Sequence, residues 1–72
     1  MVEIMLEDGT GICFLKEHYN IHFEGMKVVF YLKAEFAHPR RESKIVLDYS
    51  NKTAFFEWAD GYNETEMFKG VI

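Results

Sequence analysis

Seventy-two residues suit one domain, near the lower size at which a chain folds alone. Twelve acids against eight Lys and Arg give a net charge of −4, which disfavours a polyanionic partner, and a single cysteine excludes an intrachain disulfide. With 49% apolar residues the composition is globular rather than disordered, and seven Phe, four Tyr and one Trp supply large rings that offset the missing staples.

Met1 is followed by an acidic, strand-like run rather than a basic one, so no secretory leader is read there. Apolar runs such as Val28 to Leu32 are too short to span a bilayer. A soluble cytoplasmic protein without membrane association is the expectation, and the lone cysteine suits a reducing compartment. Charge is uneven along the chain: residues 1–25 carry −4, residues 26–47 carry +3 and residues 48–72 carry −3.

In chain order, Val2, Ile4 and Leu6 alternate inward and Asp8-Gly9-Thr10-Gly11 reads as a turn. Ile12 to Lys16 reads as a second strand of undefined register, because Ile12, Cys13, Phe14 and Leu15 are all apolar. Tyr19, Ile21 and Phe23 then alternate with Asn20, His22 and Glu24, and Gly25 marks a turn. The next strand reads from Lys27 to Ala37, with Val28, Phe30, Leu32, Ala34 and Phe36 on one face and Val29, Tyr31, Lys33 and Glu35 on the other. At about 3.3 Å per residue it would reach roughly 36 Å, so it must bend around a barrel or overshoot its sheet. His38 to Ser43, which holds the only proline, Pro39, reads as a loop.

Ile45, Leu47 and Tyr49, then Ala54, Phe56 and Trp58, mark two strands of a hairpin sharing one inward face. A two-residue Asn51-Lys52 turn sets Tyr49 opposite Ala54, Leu47 opposite Phe56 and Ile45 opposite Trp58. From Asn63 onward two readings stay open. One is a short helix with a capping box at Asn63 and Glu66; the other is an edge strand from Glu66 to Val71. The fold class is therefore all-β: five or six antiparallel strands in meander order, forming a curled sheet or half-open small barrel with room for one short C-terminal helix.

No Gly-rich phosphate loop, nucleophile elbow or dinucleotide fingerprint occurs. His18 and His22 would share a helix face, but the alternation around them indicates a strand. There they would be solvent-facing and about 13 Å apart, too far for one ion. Cys13, flanked by apolar residues, reads as a small buried hydrophobe rather than a nucleophile. Ser43 and Ser50 fall at loop or turn positions, and Asn51-Lys52-Thr53 and Asn63-Glu64-Thr65 match the glycosylation pattern by chance. Neither catalytic residues nor a metal or cofactor set is expected, and the chain reads as a non-enzyme.

Arg40 and Arg41 are the best candidates for anion contact, since Arg forks fit phosphate or carboxylate. A second apolar face is more informative: Met5, Ile12, Phe14, Val29, Tyr31, Val46 and Phe55 fall opposite the main core set. A solvated sheet face should be polar, so this one needs a cover. The cover is either the C-terminal segment, through Met67 and Phe68, or a partner on Val29, Tyr31, Val46 and Phe55. Phe55 is expected opposite Asp48, with Lys27, Lys33 and Glu35 as a charged rim.

The reading that follows is a small protein-interaction module, an inhibitor or adaptor of the kind common among bacterial and phage accessory proteins, binding a protein partner or itself as a homodimer. The alternative is a small-barrel single-stranded nucleic-acid binder, with Tyr31, Phe55 and His22 stacking bases and Arg40, Arg41, Lys33 and Lys44 tracking phosphates. Net acidity counts against it. A small hydrolase or metal enzyme ranks last.

Overall fold

The computed structural model describes all of residues 1–72. Seven strands form one antiparallel sheet: β1 (Val2–Leu6), β2 (Gly11–Phe14), β3 (Tyr19–Glu24), β4 (Lys27–Leu32), β5 (Glu42–Asp48), β6 (Thr53–Trp58) and β7 (Asn63–Val71). Their order is β2-β1-β7-β6-β5-β4-β3, and 3₁₀ turns at Lys16–His18 and Ala34–Phe36 are the only helical pieces. The meander runs from β3 to β7, and β1 then docks on the far side of β7.

Topology forces this sheet to curl. β2 and β3 are its two ends, yet they follow each other in sequence with only residues 15–18 between them. In a flat sheet the outer strands would lie about 29 Å apart at the usual interstrand spacing. The five Cα steps from Phe14 to Tyr19 reach at most about 17 Å. The sheet therefore wraps until Phe14 and Tyr19 meet with ring centroids 5.0 Å apart. No ladder joins β2 to β3, so the barrel stays open at that seam.

The concave side holds the core: Ile4, Leu6, Phe14, Tyr19, Phe30, Ile45, Leu47, Ala54, Phe56 and Phe68 are buried together. Val2, Ile12, Val28, Leu32, Tyr49, Trp58 and Val71 pack around them. Phe14 also meets Phe30 edge-on at 5.1 Å, which adds about 0.5–1.5 kcal/mol to the burial of such rings.

Several expectations are corrected. The sheet has seven strands rather than five or six. The fourth ends at Leu32 instead of Ala37, because pairing gives out there: Leu32 faces Tyr19 and Tyr31 faces Lys44 at the ends of the two ladders. Beyond them the backbone satisfies itself in the 3₁₀ turn, with Phe36 N–H donating to Lys33 O at 2.9 Å. The β5–β6 register is offset by two: Ile45 faces Phe56, Leu47 faces Ala54, and Glu42 faces Trp58. The inward face is as expected, but the loop is four residues, Tyr49 to Lys52. Asp48 sets its width, as its carboxylate accepts from Ser50 N–H, Ser50 Oγ, Asn51 N–H and Asn51 Nδ2. Lys52 completes the reversal at φ 58°.

Residues 63–71 form neither a helix nor an edge strand but an interior strand between β1 and β6. Met5 pairs with Gly70 and Leu6 with Phe68, leaving Lys69 as the extra residue of a bulge. The bulge flips the alternation so that both Phe68 and Val71 reach the core.

Candidate interaction surface

The strand registers assemble the convex face in rows. One row runs His22, Val29, Val46, Phe55, Thr65 across β3 to β7. A flanking row runs Asn20, Tyr31, Lys44, Glu57, Asn63, and the other runs Glu24, Lys27, Asp48, Thr53, Met67. Val29, Val46 and Phe55 are therefore direct cross-strand neighbours, and Tyr31 stands two residues along β4 from Val29. Phe55 lies opposite Val46 and not Asp48, which makes the apolar stripe continuous.

Val29 is only 4% exposed, although it does not belong to the concave core. Its neighbours on the convex side bury it, while Val46 and Phe55 are half-buried. Tyr31 is 39% exposed and is held upright. The His22 ring meets it edge-on at 5.4 Å, and Lys44 Nζ lies 5.6 Å from its centroid. The rim differs from the expected one: Glu24, Lys27, Lys44, Asp48 and Glu57 flank the stripe, because Lys33 and Glu35 lie beyond the end of β4.

Other members of the expected second face belong elsewhere. Phe14 is core and Ile12 packs against it, since β2 pairs Ile12 with Ile4 and Phe14 with Val2. Between them Cys13 points outward and is exposed, not buried. Desolvation and the Glu3 carboxylate push its thiol pKa up, which lowers its thiolate fraction and its nucleophilicity. The C-terminal segment does not cover the convex face: it lies in the sheet, with Phe68 inside and Met67 exposed.

The two arginines part company. Arg40 is exposed, and its N–H donates to His38 Nδ1 at 3.1 Å. Arg41 turns inward, where Nη1 donates to His18 Nδ1 at 3.1 Å and the guanidinium lies 5.8 Å from the Tyr19 centroid. His18 is in the 3₁₀ turn rather than on a strand and is half-buried, its ring stacked on Phe36 at 3.8 Å. His22 does face solvent on β3. Arg41 thus pins the β2–β3 linker to the segment entering β5, leaving Arg40 as the free cation of the pair. Tyr19 Oη donates to Glu42 O at 3.2 Å in the same corner, and burial raises its pKa.

No three His, Cys, Asp or Glu side chains converge as a metal set would. One surface hollow of about 470 Å³ is lined by Ala37, His38, Pro39, Ala59 and Asp60. No helix is long and apolar enough to cross a membrane.

Ile21 and Phe23 share the face of buried Tyr19 along β3, but Phe23 is 79% and Ile21 37% exposed. Met26, in the β3–β4 turn, is 63% exposed as well. The pattern gives the face but not whether anything packs over it. Phe23 sits two residues before the hairpin glycine, Gly25, and that proximity to a tip was the available signal. Comparison with known protein families, with curated proteins and with solved structures finds no match.

Proposed function

We propose that this chain acts by binding another protein through its convex face, as an adaptor or inhibitor rather than as a catalyst. The observation that carries the reading is the continuous cross-strand stripe of Val29, Val46 and Phe55, the last two half-buried, beside a Tyr31 that is 39% exposed. A half-exposed tyrosine ringed by aliphatic and charged neighbours is the residue pattern enriched at protein interfaces. The rim has both signs, Lys27 and Lys44 against Glu24, Asp48 and Glu57, which suits a protein surface better than a phosphate backbone. Engagement of Arg41 with His18 further weakens a nucleic-acid reading, since it leaves Arg40 without its expected companion.

The test is affinity capture from host extract with the wild-type chain and with a Tyr31→Ser, Phe55→Thr variant whose circular dichroism is unchanged. A protein retained by the wild type and lost by the variant supports the reading. Equal retention contradicts it. Micromolar binding to a mixed single-stranded oligonucleotide at physiological salt, abolished by Arg40→Ala, would replace it with nucleic-acid binding.

A further inference from the structure

β3 is an open edge of the sheet, with no strand beyond it. Lys33 N–H donates to His18 O at 2.9 Å, and β3 pairs with β4 without a bulge from Tyr19↔Leu32 to Glu24↔Lys27. In an antiparallel ladder the bonded positions recur every second residue, so Asn20, His22 and Glu24 bond to β4. Ile21 and Phe23 then direct their N–H and C=O groups away from the sheet, and β3 has no neighbour on that side. Every residue from Asn20 to Glu24 is exposed. Glu24 is the one charged protection on this edge, which has no proline, no lysine and no bulge. The opposite edge, β2, is only four residues long.

We infer that two copies of the chain pair antiparallel through β3, with His22 on the two-fold axis. This register sets Ile21 opposite Phe23 of the second copy. Each such pair exchanges both backbone bonds, and symmetry repeats the pair. All the free groups of Ile21 and Phe23 in both copies are then satisfied. The exposed side chains of Ile21 and Phe23 cover one another on the same face. Glu24 comes opposite Asn20 of the second copy and diagonal to its His18 and His22, so no like charges oppose. A contact this small makes a weak dimer that dissociates on dilution.

Two measurements test the pairing. Sedimentation equilibrium of the wild type should give twice the chain mass at high concentration, falling to one chain mass on dilution. Phe23→Lys, at a side chain the fold barely uses, should stay at one chain mass throughout with unchanged circular dichroism. Register is read by crosslinking in a Cys13→Ser background. His22→Cys should oxidise to a covalent dimer, since facing non-bonded residues have Cα atoms about 4.5 Å apart, within disulfide reach. Asn20→Cys should not, because its two copies lie about 13 Å apart. One chain mass at every concentration overturns the inference. So does a dimer indifferent to Phe23→Lys, or equal crosslinking at positions 20 and 22. Phe55→Thr, three strands away on β6, changes the convex face and leaves this edge alone, so either surface can fail without the other.

Discussion

Phe14 and Tyr19 meet edge to face, 64° between ring planes and 5.0 Å between centroids, although they belong to the two opposite ends of the strand order. No hydrogen-bonded ladder joins the sheet's ends at this open seam; aromatic packing holds them together there. Phe14→Ala should therefore cost about 3–5 kcal/mol, the usual range for a buried ring. Urea unfolding of the variant, compared with wild type at matched m-value, gives the number.

The β5–β6 register makes a sharper stability test. Phe56 is 1% exposed and faces Ile45, whereas Trp58 is half-buried, faces Glu42 and leans on Tyr62 at 5.5 Å. Phe56→Ala should be the more damaging substitution, at about 3–5 kcal/mol, despite tryptophan's larger ring. A larger loss for Trp58→Ala in the same thermal or chemical denaturation would restore the register with Ile45 opposite Trp58.

Acid stability reports on two turns. Hydrogen bonds from Thr10 hold the Asp8 carboxyl below its ordinary pKa, and those from Ser50 do the same for Asp48. A pKa lowered by folding adds stability above the unfolded value, near 3.9, and loses it as pH falls through the lower folded value. An Asp8→Asn, Asp48→Asn variant should therefore show a flatter fall in stability below about pH 4 than wild type. Both groups are exposed, so the effect is small. Parallel stability curves for the two proteins would show that these turn bonds do not matter.

The β5–β6 hairpin and its inward face were legible in the sequence because period-2 patterning is local: Ile45, Leu47, Ala54 and Phe56 are all buried as the alternation requires. What patterning could not supply was long-range. The docking of β7 between β1 and β6 depends on the curl of the whole sheet, and residues 63–71 read as helix or edge strand without it. The β5–β6 register turned on one side chain, Asp48, whose four hydrogen bonds widen the loop. The convex stripe was legible by parity. The exposure of Phe23 was not, because its lack of a covering neighbour is a property of the open seam.

Cys13 gives a chemical check on the face assignment of β2. Its exposed thiol should react with a small disulfide reagent in the native protein, without prior unfolding. Its raised pKa should make that reaction slower at neutral pH than for a free cysteine, with the rate still climbing above pH about 8.5. Protection of the thiol until unfolding would place Cys13 inside and invert the register of β2 against β1.

The most direct measurement is residue-resolved amide exchange along β3 in dilute solution. An open edge predicts alternation: Asn20, His22 and Glu24 amides protected by β4, Ile21 and Phe23 amides exchanging as fast as loops. At high concentration the slow exchange should extend to Ile21 and Phe23 as the second copy pairs with them. Uniform protection of all five amides at every concentration would contradict both the open seam and the surface it exposes.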